Sequence, residues 1–340
     1  MSNDPTEGQT GPLLDWLLRQ YPGTPRGRAK QWILGGRVSV QGQVIRKPHQ
    51  KMADPKDALV LGDRGASSLA CDSGWQIHPR VSLLYLDSAL AVVNKGPGLI
   101  SVPALNCSLS ALSILADFLA GKIKAPAGNR GKSLPAPYRQ LEPLPVHRLD
   151  QYTSGVFCMA MNPAARRHLI AQLQARTMKR EYVAFVENHP SAPKGTWCQW
   201  LRLSRDELRQ RILSESEAKA PAPEDCQAIT HYEVIAEYPL MGGKGFVTKL
   251  RLQLESGRKH QIRVQAAHAG LPLIGDRTYN PGCCGRGPVS AFIDFPRQAL
   301  HAEILSLEHP SQPGKRMTWT AELPKDLRQL ETELLRSVKA

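Results

Sequence analysis

The segment Val146-His147-Arg148-Leu149-Asp150-Gln151-Tyr152-Thr153-Ser154-Gly155 crowds polar groups just ahead of an apolar run, Val156 to Met161. Only Leu149 separates Asp150 from Arg148, while His147 and Thr153 lie three positions away on either side. Ser154-Gly155 can then turn the backbone, so the carboxylate can sit in a hydrogen-bonded loop. Nearby cations and donated hydrogen bonds favour the charged form of a carboxylate and fix its direction, which suits a nucleophile or a general base. The same residues equally describe an ion pair that braces a turn, and the segment alone does not separate the two.

The elements that must position this loop are short. Leu84 to Leu86, Leu90 to Val93, Val156 to Met161, Tyr182 to Val186, Tyr232 to Ile235, Val247 to Leu254 and Ile262 to Val264 are brief apolar runs that read as strands. Ala111 to Ala120 and Ala164 to Arg176 carry apolar residues at three-to-four spacing, the second opening on Asn162-Pro163, a cap followed by a first-turn proline. This mixture predicts an α+β domain with a mixed, largely antiparallel sheet and flanking helices. Ala125 to Pro145 and Ser214 to Asp225, rich in turn-forming or small polar residues, read as loops, and no internal repeat is present.

The first part of the chain is organised differently. Residues 1 to 10 read as a disordered tail. Leu13, Leu14, Leu17 and Leu18 with Trp16 recur at helical spacing, and a second helix runs through Arg28 and Lys30 to Leu34, stopping at Gly35-Gly36. Val38 and Val40, a turn at Gln41-Gly42, then Val44-Ile45 and Val60-Leu61 supply short strands, closing a small module over residues 11 to 62. Residues 63 to 80 read as a linker, and 81 to 335 as a larger domain.

Lys and Arg together number 44 against 30 Asp and Glu, a net charge of +14, so a polyanionic partner is expected, nucleic acid ahead of a membrane. Between Trp16 and Ala53 stand eight basic residues, among them Arg26, Arg28, Lys30, Arg37 and Lys47, and no acid. Phosphates can approach such a stretch without like-charge repulsion. The seven cysteines are odd in number and scattered, with Cys283 and Cys284 adjacent and no C-x-x-C pair, so neither a disulfide framework nor a metal site is expected. Met1 to Gln9 are polar and acidic and no long apolar run occurs, which predicts a soluble, cytoplasmic protein with no membrane partner.

Two resemblances sharpen these expectations. The order helix, helix, Gly35-Gly36-Arg37-Val38-Ser39-Val40-Gln41-Gly42, strands resembles the S4 domain, an RNA-binding module. Its second helix and following loop, with Arg26, Arg28, Lys30, Arg37 and Lys47, would face RNA. The string His147-Arg148-Leu149-Asp150-x-x-Thr153-Ser154-Gly155 resembles the active-site motif of the RluA family of pseudouridine synthases, and further family features follow in order. They are Lys179-Arg180-Glu181-Tyr182-Val183-Ala184-Phe185-Val186, Ala228-Ile229-Thr230-His231-Tyr232, Gly257-Arg258-Lys259-His260-Gln261-Ile262-Arg263-Val264, then Gly270, Pro272, Gly275, Asp276 and Tyr279, and finally the run Arg297 to Ala302. Gln265 stands where His is usual, and in Asn94-Lys95-Gly96-Pro97-Gly98-Leu99 the proline is displaced by one position, which puts that turn's contact in question.

The resemblance spans about residues 80 to 330 and implies a pseudouridine synthase catalytic domain. It implies Asp150 as nucleophile, Arg263 as its cationic partner, and Tyr182 as an aromatic that stacks near the uracil and relays a proton. Substrate contacts are expected from His147, which positions the loop, from Arg148, which fills the gap left by a flipped-out nucleotide, from Thr153, and from Ile262, an apolar wall. Isomerising uridine breaks the N1–C1′ bond and joins C5 to C1′ with no redox change, so no cofactor is implied. Attack at C1′, addition at C6 and elimination to a glycal all remain open. The expected partner is RNA, large-subunit ribosomal RNA first and tRNA second, with a monomer acting. A non-catalytic RNA-binding or ribosome-assembly protein has no need of Asp150, Tyr182 and Arg263 together, and a glycoside hydrolase would want a second acid where the motifs are mostly basic.

Overall fold

The computed structural model describes residues 10–34, 38–40, 43–45, 47–53, 55, 59–61, 69–105, 107–123, 138, 141–205, 208–240, 245–280 and 295–339. Residues 1–9, the Gly35-Gly36 stop, Arg37, Arg46, the Gln41-Gly42 turn, residues 62–68, most of 124–140 and the Cys283-Cys284 pair lie outside the described residues. The chain divides into two compact units, Met1–Leu69 and Ala70–Ala340.

In the first unit, helix α1 (Leu13–Gln20) buries Leu13, Leu14, Trp16 and Leu17, the leucines that recur at helical spacing. Helix α2 (Arg26–Leu34) turns only Ala29 and Ile33 inward, so its basic residues are left to solvent. These side chains close over Val38 of β2 (Val38–Val40) and Leu59 of β5 (Leu59–Leu61), which with β3 (Gln43–Val44) form a three-stranded sheet in the order β3-β2-β5. Thr10, assigned to a disordered tail from sequence, instead opens β1 (Thr10–Pro12), which pairs with β4 (Lys51–Ala53).

The second unit is built on one sheet of 12 strands among the described residues. In chain order they are β6 (Leu69–His78), β7 (Val81–Leu86), β8 (Leu90–Lys95), β9 (Leu144–Pro145), β10 (Ser154–Ala160), β11 (Lys179–Glu187), β12 (Lys194–Leu203), β13 (Gln210–Ile212), β14 (Cys226–Pro239), β15 (Phe246–Leu254), β16 (Leu300–Glu308) and β17 (Arg316–Thr320). The spatial order is β13-β12-β14-β15-β11-β16-β10-β8-β7-β6, with β17 beside β16 and β9 beside β10. At the centre β10 and β16 run parallel, Ser154 opposite His301 and Gly155 opposite Ala302, while β8 and β11 flank them antiparallel. Gly155 sits at φ +119°, and a Cβ there would run into the backbone of Ala302. Only glycine allows this approach.

Helices cover the sheet. Asn162 caps α4 (Pro163–Gln174) by accepting from the Ala165 amide at 2.8 Å, and Ala165 and Leu169 pack on Val156, Cys158 and Ala160 of β10. Helix α7 (Lys325–Lys339) lays Leu327, Leu330 and Leu334 against Val183, Phe185 and Val247. Each such leucine contributes roughly 1.5–3 kcal/mol on burial. Ser110 and Ser113 form a reciprocal capping box on α3 (Ala111–Leu119).

Three segments differ from the sequence expectation. Ile262 to Val264 is not a strand but part of α6 (Gln261–His268). Its alternation of β-branched and polar residues mimics a strand, yet Gln261 through Ala266 are all buried, so the polar side chains are inward groups met by tertiary partners. Residues 69–78, read as part of a linker, form β6, because backbone pairing beside β7 orders a composition that has little apolar patterning. Within Ser214 to Asp225, Ser214 and Glu217 form a capping box that starts the short helix α5 (Glu215–Ala218).

Candidate active site

The loop that bears Asp150 is held from several sides, mostly through its backbone. The Thr153 amide donates to the Asp150 carbonyl at 3.1 Å, closing a turn. Ser101 exchanges two hydrogen bonds with Leu149, its Oγ donating to the carbonyl and accepting from the amide, both at 2.9 Å. Beneath the loop, the fully buried Lys95 directs its ammonium at three carbonyls, Gly96 at 3.1 Å, Leu99 at 2.9 Å and Gln151 at 3.1 Å. Burial pulls the Lys95 pKa down to about 7, with Asp150 acting against that fall and Arg297 and Arg80 adding to it. The turn with the displaced proline still reaches the loop, since the Gly98 amide donates to Gln151 O at 2.9 Å.

His147 accepts from the Cys158 amide at 3.2 Å through Nε2, which leaves the proton on Nδ1. Burial, with Arg180 adding to it, lowers its pKa to about 3, so the ring is neutral and serves as a brace. Arg297 donates to Tyr152 O at 3.1 Å and pairs with Asp326 of α7 at 2.7 Å. Thr153 is buried, and its hydroxyl accepts from Gln298 at 3.3 Å.

Asp150 itself points at Arg263. Nη1 of Arg263 lies 3.3 Å from Asp150 Oδ2, while its Nε and Nη2 form a two-pronged pair with Asp276 at 2.6 and 2.8 Å. Burial alone would lower the Arg263 pKa, but the hydrogen bonds and charge of Asp276, with Asp150, raise it above the ordinary value. Asp276 is fully buried and also accepts from the amides of Thr278 and Tyr279 at 2.9 and 3.1 Å. The Tyr279 ring lies under the Arg263 guanidinium at 5.2 Å, and its hydroxyl meets His260 Nδ1 at 3.0 Å. His260, in a left-handed conformation at the start of α6, brings Nε2 to 4.0 Å from Asp150. Burial lowers its pKa to about 4 despite Asp150.

All seven residues expected in the catalytic domain, His147, Arg148, Asp150, Thr153, Tyr182, Ile262 and Arg263, line one cleft of about 540 Å³. Tyr182 and Ile262 are buried walls, and burial raises the Tyr182 phenol pKa, Arg180 opposing and Asp150 adding to the shift. The phenol is therefore protonated at neutral pH. Arg148 is exposed, with no hydrogen bond or ion pair among the described residues, and it also borders a second cavity of about 630 Å³ that opens on Asp150 from the other side. The combined arrangement offers a directed carboxylate, a fixed guanidinium, an aromatic and aliphatic slot, and a cation at the mouth.

The sequence reading did not foresee Lys95, His260, Arg297 or Arg180 at this site. These four, like Asp276 and Tyr279, stood in the sequence only as motif positions with no role attached. In the N-terminal unit, Arg28, Lys30 and Lys47 are exposed, Arg28 lying 5.9 Å over Trp32, whereas Arg26 pairs with Asp15 at 3.0 Å, an acid just outside the acid-free stretch. Among the described residues no cluster of His, Cys, Asp or Glu could hold a metal ion, and no helix is long and apolar enough to cross a membrane.

A family pattern described as RNA pseudouridylate synthase matches residues 89–268, and the S4 domain pattern matches residues 11–54. The chain is 32% identical to "Ribosomal large subunit pseudouridine synthase D" of Yersinia pestis, covering 98% of this chain and 93% of that one. It is 30% identical to the protein of the same name from Pseudomonas aeruginosa, covering 93% and 90%. The structure of human RNA Pseudouridylate Synthase Domain Containing 4 shares the fold, with a TM-score of 0.51 at 20% identity over 76% of this chain and 92% of that one. The chain therefore belongs to the RNA pseudouridylate synthase family, as an RNA-modifying enzyme that carries an S4 domain at its N-terminus.

Proposed function

We propose that this enzyme converts uridine to pseudouridine in large-subunit ribosomal RNA, with Asp150 as the nucleophile acting on a flipped-out nucleotide. The observation that carries this reading is the pairing of Asp150 with Arg263, itself clamped by Asp276, at the edge of a slot walled by Tyr182 and Ile262. Guanidinium matches carboxylate geometry, so Arg263 can orient Asp150 while Asp276 prevents it from swinging away. Tyr182 supplies a face for the uracil and a protonated phenol that can pass a proton. Arg148, exposed and without a hydrogen bond or ion pair among the described residues, is suited to occupy the space the uridine vacates, which offsets part of the few kcal/mol of lost stacking and pairing.

His147 and Thr153 hold the loop rather than the substrate. Arg28, Lys30 and Lys47, with Arg26 and Arg37, would engage phosphates elsewhere on the RNA. The relatives that align along nearly the whole chain support ribosomal RNA ahead of tRNA. One chain, without a cofactor, is the proposed active unit, since the carboxylate, guanidinium and phenol the reaction calls on already line one cleft and the isomerisation conserves atoms and electrons.

Isomerisation at C5 releases a C5 tritium to water. With RNA labelled at C5, Asp150→Ala is expected to bind the RNA and release no tritium above background; release at the normal rate would sink the assignment. Carbodiimide mapping of cellular RNA with and without the gene is expected to show lost pseudouridines in large-subunit RNA. Losses confined to tRNA would overturn the substrate.

A further inference from the structure

Arg180 is a buried cation with no paired anion among the described residues. It stands on β11 two positions before Tyr182, so the two side chains leave the strand on the same side, and both line the cleft beside Asp150. The residue is 6% exposed. Nη2 donates to the carbonyls of Glu255 at 3.4 Å and Ser256 at 3.1 Å, while the buried Nε has no hydrogen-bond partner. No carboxylate pairs with it among the described residues: the nearby Glu255 side chain is taken by Arg176 at 2.5 Å and His231 at 2.7 Å. The other two buried guanidiniums among the described residues are each matched, Arg263 by Asp276 and Asp150 and Arg297 by Asp326.

Burying an unpaired guanidinium costs several kcal/mol, so a fold that tolerates one is expected to use it. Gly257 is shaped around it, since a Cβ there would run into Arg180 Nη1.

We propose that Arg180 supplies the counter-charge for the pyrimidine ring of the target uridine at the moment that ring becomes negative. The proposal rests on the assignment of Asp150 and this cleft to the uridine. When Asp150 attacks C1′, a C1′–O bond forms and the N1–C1′ bond breaks, its electron pair leaving with uracil as an anion spread over N1, O2 and O4. When a glycal forms instead, a base takes the C2′ proton, the C2′–H pair makes the double bond, and uracil departs with the same charge. Addition of the carboxylate at C6 pushes the C5–C6 pair toward O4 as an enolate. Each route closes as C5 bonds to C1′: in the first the Asp150–C1′ bond breaks, in the second C2′ regains its proton, and in the third the N1–C1′ bond breaks before it and the Asp150–C6 bond after it, while N1 gains a proton and C5 loses its own to solvent. Every route thus puts an extra electron pair on the ring, in a slot where Arg263 is already neutralised by two carboxylates.

A phosphate is a poorer match for Arg180. Phosphates of the bound RNA would stay near solvent, where the exposed Arg148, Arg176 and Arg258 rim the cleft, whereas Arg180 is buried two positions before Tyr182. Fixed donors aimed at developing charge in a water-poor site typically contribute a factor of about 10²–10³ in rate.

The test compares two substrates in single-turnover reactions, target RNA carrying uridine and the same RNA carrying 5-fluorouridine, with substrate consumption read by chromatographic separation of the nucleosides from nuclease digests. Fluorine withdraws charge from the ring, so the anion needs less help. Arg180→Gln is expected to slow uridine about 10²-fold or more and 5-fluorouridine at least about tenfold less severely, with RNA affinity within about threefold of wild type. Equal losses on the two substrates, or a loss residing in RNA affinity, would overturn the proposal in favour of a brace for the Glu255–Ser256 backbone. If Arg180→Gln does not fold, Gly257→Ala, which pushes the guanidinium aside, must shift the same ratio in the same direction; an unchanged ratio overturns the proposal. Asp150→Asn serves as the separate control, because consumption of uridine by that variant would remove the nucleophile reading whatever Arg180 does.

Discussion

A single guanidinium at position 263 serves two carboxylates of different function. Asp276 takes two of its nitrogens at 2.6 and 2.8 Å and is wholly buried, whereas Asp150 takes one at 3.3 Å and faces the cleft. The tight pair fixes the arginine, and the loose one leaves Asp150 able to move onto carbon. Asp276→Asn is therefore expected to cost stability as well as activity, about 3–5 kcal/mol in chemical denaturation for a broken buried pair, and a further 10- to 100-fold in single-turnover rate for a lost supporting group. RNA affinity should not change. A variant with full rate and lowered stability alone would show that Arg263 needs no second carboxylate. Asp150, Tyr182 and Arg263 were legible in the sequence because each lies in a motif with distinctive neighbours. The pairing of Arg263 with Asp150, 113 residues apart, followed only from the family resemblance, and Arg180 shows its lack of a carboxylate only once the acids around it are placed.

Among the elements, the central parallel pair β10–β16 has the strictest requirement on sequence. Gly155 ends the motif that begins at His147, and the structure supplies its reason: the residue stands against the Ala302 backbone in a conformation that other residues avoid. Gly155→Ala combines an unfavourable φ with a backbone collision and is expected to lose at least about 3 kcal/mol by urea denaturation. A near-neutral effect would mean that β10 can retreat from β16 without harm. The helices opened by Asn162 and by the leucines of α1 were readable because capping and amphipathic spacing are local signals. Helix α6 was not, since its inward polar residues erase any apolar stripe and its β-branched pair imitates a strand. Helix α7 carries a local signal of the same kind, its leucines at 327, 330 and 334 following helical spacing.

For the molecule as a whole, three histidines tie stability to pH. Burial lowers His147 to about 3 and His260 and His301 to about 4, against an ordinary value of 6.5. His301 accepts from Ser154 and donates to the Ala321 carbonyl, so only its neutral form fits. Below pH 6.5 the unfolded chain takes up protons that the folded one refuses. The stability these groups contribute is complete above pH 6.5 and lost as pH falls toward 4, by up to about 1.4 kcal/mol per histidine per unit. Denaturation midpoints in urea at pH 7.5, 6 and 5 should fall accordingly, and His301→Gln should flatten the dependence. A wild-type midpoint unchanged to pH 5 would contradict these burial effects.

Arg297 joins the two ends of this picture. One guanidinium holds the carbonyl of Tyr152, two residues past Asp150, and the carboxylate of Asp326, at the start of the last helix. The loop that carries Asp150 thus takes part of its anchorage from a residue translated long after it. A chain still emerging from the ribosome can display every residue of the His147–Gly155 motif and yet lack the clamp that sets it. The clamp on the loop therefore closes only once α7 has been made.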